Sequence, residues 1–116
     1  MKIVYIAHPI SGDVVGNLKK VKTILRYINL YEDCIVPFAH YVIDCQVLDD
    51  TIIEERERGI ENDVALLKAG FINEMWLYGN RISEGMKHEI KLAKSLGILV
   101  IPKTVETMEE YIKYNL

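Results

Sequence analysis

The sequence predicts an α/β fold, a flavodoxin- or Rossmann-like three-layer sandwich on a mainly parallel sheet of four to five strands. Three observations predict it. Short apolar runs at Lys2–Ala7, Cys34–Phe38, Glu74–Tyr78 and Ile98–Ile101 have strand length rather than helix length. Between and after them, apolar residues recur at three- and four-residue spacing, the helix period. Strand and helix therefore alternate, which implies parallel pairing, right-handed crossovers and helices on both faces of the sheet.

Lys2–Ala7 is continuously apolar toward its end, as befits a strand covered on both faces. A loop with Pro9, Gly12 and Gly16 leads to a helix over Val14–Leu30, whose apolar positions are 14, 18, 21, 24, 25 and 28. Cys34–Phe38 forms the second strand. Ala39–Asp50 fits either a short helix or an ordered loop. Thr51–Ala69 is a helix with Ile53, Ile60, Val64 and Leu67 inward and Gly70 as its stop. Glu74–Tyr78 is the third strand, Ser83–Leu96 a helix, Ile98–Ile101 the fourth strand and Val105–Tyr114 the terminal helix.

At 116 residues the chain holds one core and reads as a single domain, 1–116. A net charge of −3 argues against binding a nucleic-acid polymer, which calls for a basic surface. No apolar run reaches the roughly 20 residues of a membrane span. The N-terminal run reads as a buried strand rather than a signal core, because His8-Pro9 interrupts it. Cys34 and Cys45 make neither a disulfide framework nor, with the scattered His8, His40 and His88, a metal site. A reducing cytoplasm and chemistry without metal or organic cofactor are the corresponding expectations.

In parallel sheets of this kind ligands bind beyond the carboxyl ends of the strands, where the strand order reverses. His8–Gly16, Phe38–Asp44 and Gly79–Gly85 reach that edge. Glu89 stands out on the helix that follows. It shares the face of Ile82, Gly85, Met86, Ile90, Ala93 and Leu96 rather than that of Lys87, Lys91 and Lys94. Asp63, three residues after Ile60 and four before Leu67, has the same anomaly. Burying an ionised carboxylate is costly, so each of these needs a partner or a cavity. Simple capping, or pairing with Arg81 or Lys94, is the structural alternative. Two carboxylates converging on one sheet edge are also the arrangement that cleaves glycosidic bonds.

Other residues at that edge have two readings each. Ser11, Gly12 and Gly16 offer backbone N–H groups to a phosphate, or form an ordinary capped turn. His8 touches a ligand or is structural. Phe38, His40 and Tyr41 stack on a flat base or belong to the core. Ser83 is a natural N-cap, and Gly85 lets a ligand approach the backbone beside Glu89.

Three motifs occur in order along nearly the whole chain: Tyr5-Ile6-Ala7-His8-Pro9-Ile10, Asn62-Asp63, and Ser83-Glu84-Gly85-Met86-Lys87-His88-Glu89 followed by Ala93. With them the chain resembles the nucleoside 2-deoxyribosyltransferase-like superfamily, which includes deoxyribonucleoside 5′-monophosphate N-glycosidases. The resemblance implies that Glu89 is the nucleophile at the sugar C1′ and Asp63 an acid/base or substrate-positioning residue. Tyr5, His8, Pro9, Ser11 and Gly12 would lie beside the sugar and any 5′-phosphate, with Ser83, Gly85 and Met86 completing the substrate site. The substrate would be a small nucleoside or nucleotide. A homo-oligomer, dimer or higher, is implied, with Tyr114 and Asn115 as candidates to complete a neighbour's site. His8 departs from the pattern, since many relatives carry glycine there. Hydrolysis and transfer both remain open, as do ribose against deoxyribose and the need for a 5′-phosphate. The alternative is a non-catalytic nucleotide-binding, sequestering or sensing protein on the same scaffold.

Overall fold

β1 (Lys2–Ala7) lies inside a four-stranded sheet of order β2-β1-β3-β4 in which every neighbouring pair is parallel. The computed structural model describes residues 1–116. In chain order α1 (Val14–Tyr31) leads to β2 (Ile35–Phe38), and α2 (Tyr41–Val47) and α3 (Ile53–Lys68) lead to β3 (Glu74–Leu77). α4 (Glu84–Ser95) leads to β4 (Leu99–Pro102), and α5 (Val105–Lys113) ends the chain. The result is the expected three-layer flavodoxin/Rossmann-like sandwich, with four strands. No helix is long and apolar enough to cross a membrane.

Pleating divides the residues of β1 between two clusters. Val4 and Ile6 pack with Ile28 of α1 and Trp76 of β3. Tyr5 and Ala7 join Met75, Leu77, Met86 and Ile90 in the larger core. All four β1 residues from Val4 to Ala7 are fully buried, which explains the unbroken apolar run. The helices start where side chains can satisfy their free N–H groups. Asp13 accepts from Gly16, Ser83 from Met86, and Thr104 and Thr107 form a reciprocal capping box. Thr107 is itself fully buried and donates to the Leu77 carbonyl, which ties α5 to the end of β3.

The ambiguous stretch resolves as the short helix α2, and Gly70 follows α3 with φ +89°, as a helix stop requires. Two inward faces are narrower than their periodicity suggests. Only Leu67 of α3 is buried; Val64 is half-buried, while Ile53 and Ile60 are 69% and 56% exposed. Ile60 borders a cavity rather than the core, so the helical period there marks a cavity wall. Ile82 just before α4 and Met86, Ile90 and Ala93 on it are buried as expected, whereas Gly85 is exposed on the cavity side and Leu96 caps the exposed helix end.

Candidate active site

The strand order reverses between β1 and β3, and their carboxyl ends sit in register, Ala7 beside Leu77. A cavity of about 310 Å³ opens there, within the size range of small-molecule sites. His8, Ile10 and Ser11 after β1 and Ser83 and Gly85 after β3 form part of its lining. Tyr41, Asp44 and Cys45 of α2, one face of α3 that includes Asp63, and Met86, His88, Glu89 and Leu92 of α4 form the rest. The three chain segments that topology directs to this edge do converge.

Glu89 is half-buried, and the Tyr5 hydroxyl donates to its Oε2 across a sequence gap of 84 residues. The contact depends on pleat and helix register together. Tyr5 points from β1 into the large core and Glu89 points back from α4. Burial pushes the Glu89 carboxyl up to about 7; the Tyr5 hydrogen bond opposes this and the charge of Asp63 adds to it. Tyr5 stays a phenol, because burial first, then the charges of Glu89 and Asp63, raise its pKa well above the ordinary value.

Asp63 lines the same cavity, and its Oδ1, out of contact with solvent, has no hydrogen-bond partner. An orphaned buried oxygen of this kind is suited to a ligand's donor. Burial pushes the Asp63 carboxyl up to about 6; the negative charge of Asp44 adds to this and His40 opposes it. Glu89 and Asp63 are thus shifted in the same direction. Both are raised, because both face the same desolvated hollow. Neither acid has the structural partner considered as the alternative. Arg81 donates to the Ser11 carbonyl, and the Lys94 ammonium lies 4.8 Å from the centre of the Tyr111 ring.

The remaining site residues divide into those at the cavity and those behind it. His8, Ser11, Tyr41, Ser83, Gly85 and Met86 line it. His8 is buried, with Nδ1 2.6 Å from the Pro9 carbonyl oxygen; that oxygen only accepts, so Nδ1 carries the proton and Nε2 is left as an acceptor. Burial lowers the His8 pKa, the Pro9 bond opposes this, and Lys20 and Arg81 lower it further. Tyr41 donates to the Ile6 carbonyl at 2.6 Å.

Pro9, Gly12, Phe38 and His40 do not line the cavity. Pro9 is buried against Gly79, and Phe38 packs on Phe71 with ring centres 5.3 Å apart, so Phe38 serves the core. Gly12 is exposed with nothing around it. The phosphate cradle also has a competitor, because the Gly16 N–H is taken by the Asp13 carboxylate at 3.1 Å. That carboxylate puts negative charge where an anion would sit. Tyr114 lies under the Lys87 ammonium at 3.9 Å from the ring centre, so within one chain it packs on α4 rather than reaching the cavity.

Asp44, Asp50, Glu55, Arg56 and His88 were not singled out by the sequence, yet they line the cavity. Five carboxyl groups (Asp44, Asp50, Glu55, Asp63 and Glu89) thus face one arginine and two histidines, His8 and His88. Such a hollow can hold a neutral polar molecule, offer it a carboxylate beside a carboxylic acid, and exclude bulk water from both. No group of three or more His, Cys, Asp or Glu side chains is arranged to hold a metal ion.

No curated protein matches the chain. A family model described as "Domain of unknown function (DUF7768)" matches residues 2–102, spanning β1 through β4 and all five cavity carboxyls, and the chain belongs to that family.

Proposed function

We propose that this protein cleaves or transfers at the N-glycosidic bond of a nucleoside or deoxynucleoside, with Glu89 as nucleophile and Asp63 as acid/base. The observation that carries the reading is the cavity shared by two carboxyls with raised pKa values, one of them gripped by a buried tyrosine. Motif order along the chain adds the resemblance to nucleoside 2-deoxyribosyltransferase-like proteins.

The reactive state is the minor form of the singly protonated pair, with the proton on Asp63 and Glu89 ionised, because the empty site holds the proton more tightly on Glu89 (about 7) than on Asp63 (about 6). An oxygen of Glu89 forms a bond to C1′ while the C1′–N bond breaks, its electron pair going to the base nitrogen. The Asp63 proton moves to that base. Water, or a second base, then attacks C1′; Glu89 leaves as a carboxylate and Asp63 takes up the released proton. Tyr5 holds Glu89 in orientation and, by donating to its charged form, favours the ionised nucleophile.

The surplus of carboxyl groups and the occupied helix N-terminus at Asp13 favour a nucleoside without a 5′-phosphate. A reducing cytoplasmic setting accords with two free cysteines, Cys34 and Cys45. Self-association into a dimer or higher oligomer accords with the exposed Ile43 and Val47 of α2 and Ile53 and Ile60 of α3.

The test is incubation with a panel of nucleosides and their 5′-monophosphates, followed by chromatography for free base. Turnover by the wild type, lost in a folded Glu89→Ala variant, supports the reading. Full activity in Glu89→Ala rejects it. Tight binding by thermal shift with no base released from any substrate replaces it with a nucleotide-sensing role.

A further inference from the structure

Asp44 is a buried acid that the proposed reaction does not use. It lies one turn into α2, 7% exposed, on the wall of the same cavity as Asp63. Both its oxygens are engaged. Oδ1 lies 3.3 Å from Nε2 of His40, four residues earlier, and Oδ2 accepts from Nδ2 of Asn62 at 3.3 Å. Asn62 is the residue immediately before Asp63 on α3, so the bond ties α2 to α3 beside the acid. A buried carboxylate costs free energy unless it is paired, and here the pairing fixes its position.

We propose that Asp44 is a positioning residue for Asp63: fixed by His40 and Asn62, its negative charge stands on the cavity wall and governs how Asp63 holds its proton. This rests on the glycosidase reading, in which Asp63 must deliver a proton to the leaving base. Several groups stand around Asp63. Tyr5 of β1 and Tyr41 of α2 are buried phenols that stay neutral, and Cys45 is a half-buried thiol with its pKa raised by burial and then by nearby acids. Glu89 and His88 face the cavity from α4, Glu55 and Arg56 from the start of α3, Asp50 from the loop before it and His8 from the loop after β1. Among these, Asp44 pushes the Asp63 proton affinity up and His40 pulls it down. When His40 is protonated, the two members of this pair act on Asp63 with opposite sign. A purely structural role of the pair gives no such opposition, because losing either member would loosen the same contact.

That opposition provides the test. The Asp63 side-chain carboxyl is titrated by carbon-13 NMR in the wild type, Asp44→Asn and His40→Gln, and base release is followed against pH in the same three proteins. Asp44→Asn keeps the shape and removes the charge; its amide oxygen can still accept from Asn62, and its NH2 can donate to Nε2 of a neutral His40. Its Asp63 titration is expected to fall by at least about half a pH unit, the acid limb of the rate profile to move with it and the maximum rate to drop, since less of the pair then carries its proton on Asp63. His40→Gln is expected to move each the other way. An unmoved Asp63 titration in folded Asp44→Asn overturns the proposal. Should Asp44→Asn not fold, His40→Gln decides alone, and an unmoved or lowered titration there overturns it. Shifted titrations without base release from any variant support Asp44's action on Asp63 while removing the glycosidase reading. Base release with an unmoved titration does the reverse.

Discussion

Replacing Glu89 with glutamine is expected to make the protein more stable as well as inactive, and the gain should depend on pH in a defined direction. Glu89 has an ordinary pKa of 4.5 and is raised to about 7 in the fold. The folded state therefore holds this proton more tightly than the unfolded chain does. Stability from this group is fully present below about pH 4.5 and is lost as pH rises toward 7. Each pH unit between the two values is worth about 1.4 kcal/mol, so ionising Glu89 costs the fold on the order of 3 kcal/mol. Glutamine carries no proton to lose and can still accept from Tyr5. Urea unfolding of wild type and Glu89→Gln across about pH 4 to 8 should give curves that nearly coincide at the acid end. They should separate by about 3 kcal/mol, on the order of 10 °C in melting temperature, at the alkaline end. A separation that is constant with pH, or that grows toward acid, would refute the placement of Glu89 in a desolvated hollow. Stability gained by removing a functional charge is the expected mark of an active site.

Other perturbations read neighbouring parts of the structure. With Asp63 near 6 and Glu89 near 7, the singly protonated pair peaks between those values, so base release should follow a bell centred at about pH 6–7; a rate rising steadily to pH 9 would contradict it. Tyr5→Phe removes the donor to Glu89, which should lower kcat by roughly 10- to 100-fold and move the Glu89 titration upward. An unchanged kcat would remove Tyr5 from the mechanism. Gly79→Ala should destabilise the fold by about 1–3 kcal/mol in thermal or urea melts. The backbone there has φ +97°, and an added methyl would lie 2.6 Å from Pro9 Cδ.

The architecture was legible because each strand is a short apolar run and each crossover has a clear helical period. Glu89 and Asp63 were legible for the same reason, since a carboxyl out of place in a regular stripe is visible without coordinates. Asp44 was not. Its helix has only seven residues, too few for a period to separate an inward acid from an outward one, and its burial depends on α3 packing beside it. The period also misled at Ile60, because a cavity wall and a core wall carry the same apolar spacing, and at Ile53, which stands exposed in the first turn of α3. In the loop after β1, glycine spacing suggested an anion site. The Asp13 carboxylate takes the Gly16 N–H in a local capping bond three residues apart, so an Asp at the N-cap of α1 was the signal that could have corrected this reading. Tyr5 was a strand residue with no local sign of its contact, which only the register of β1 against α4 reveals.

The claim at the centre is that Glu89 attacks the anomeric carbon of a nucleoside in a hollow shared with Asp63. Acid quenching during turnover, followed by peptide mapping in the mass spectrometer, tests it most directly. A pentosyl or deoxypentosyl ester on the peptide carrying Glu89, absent from Glu89→Ala, is the predicted result. Base release with the sugar attached at a different residue, or with no adduct on Glu89 at any time, would contradict it.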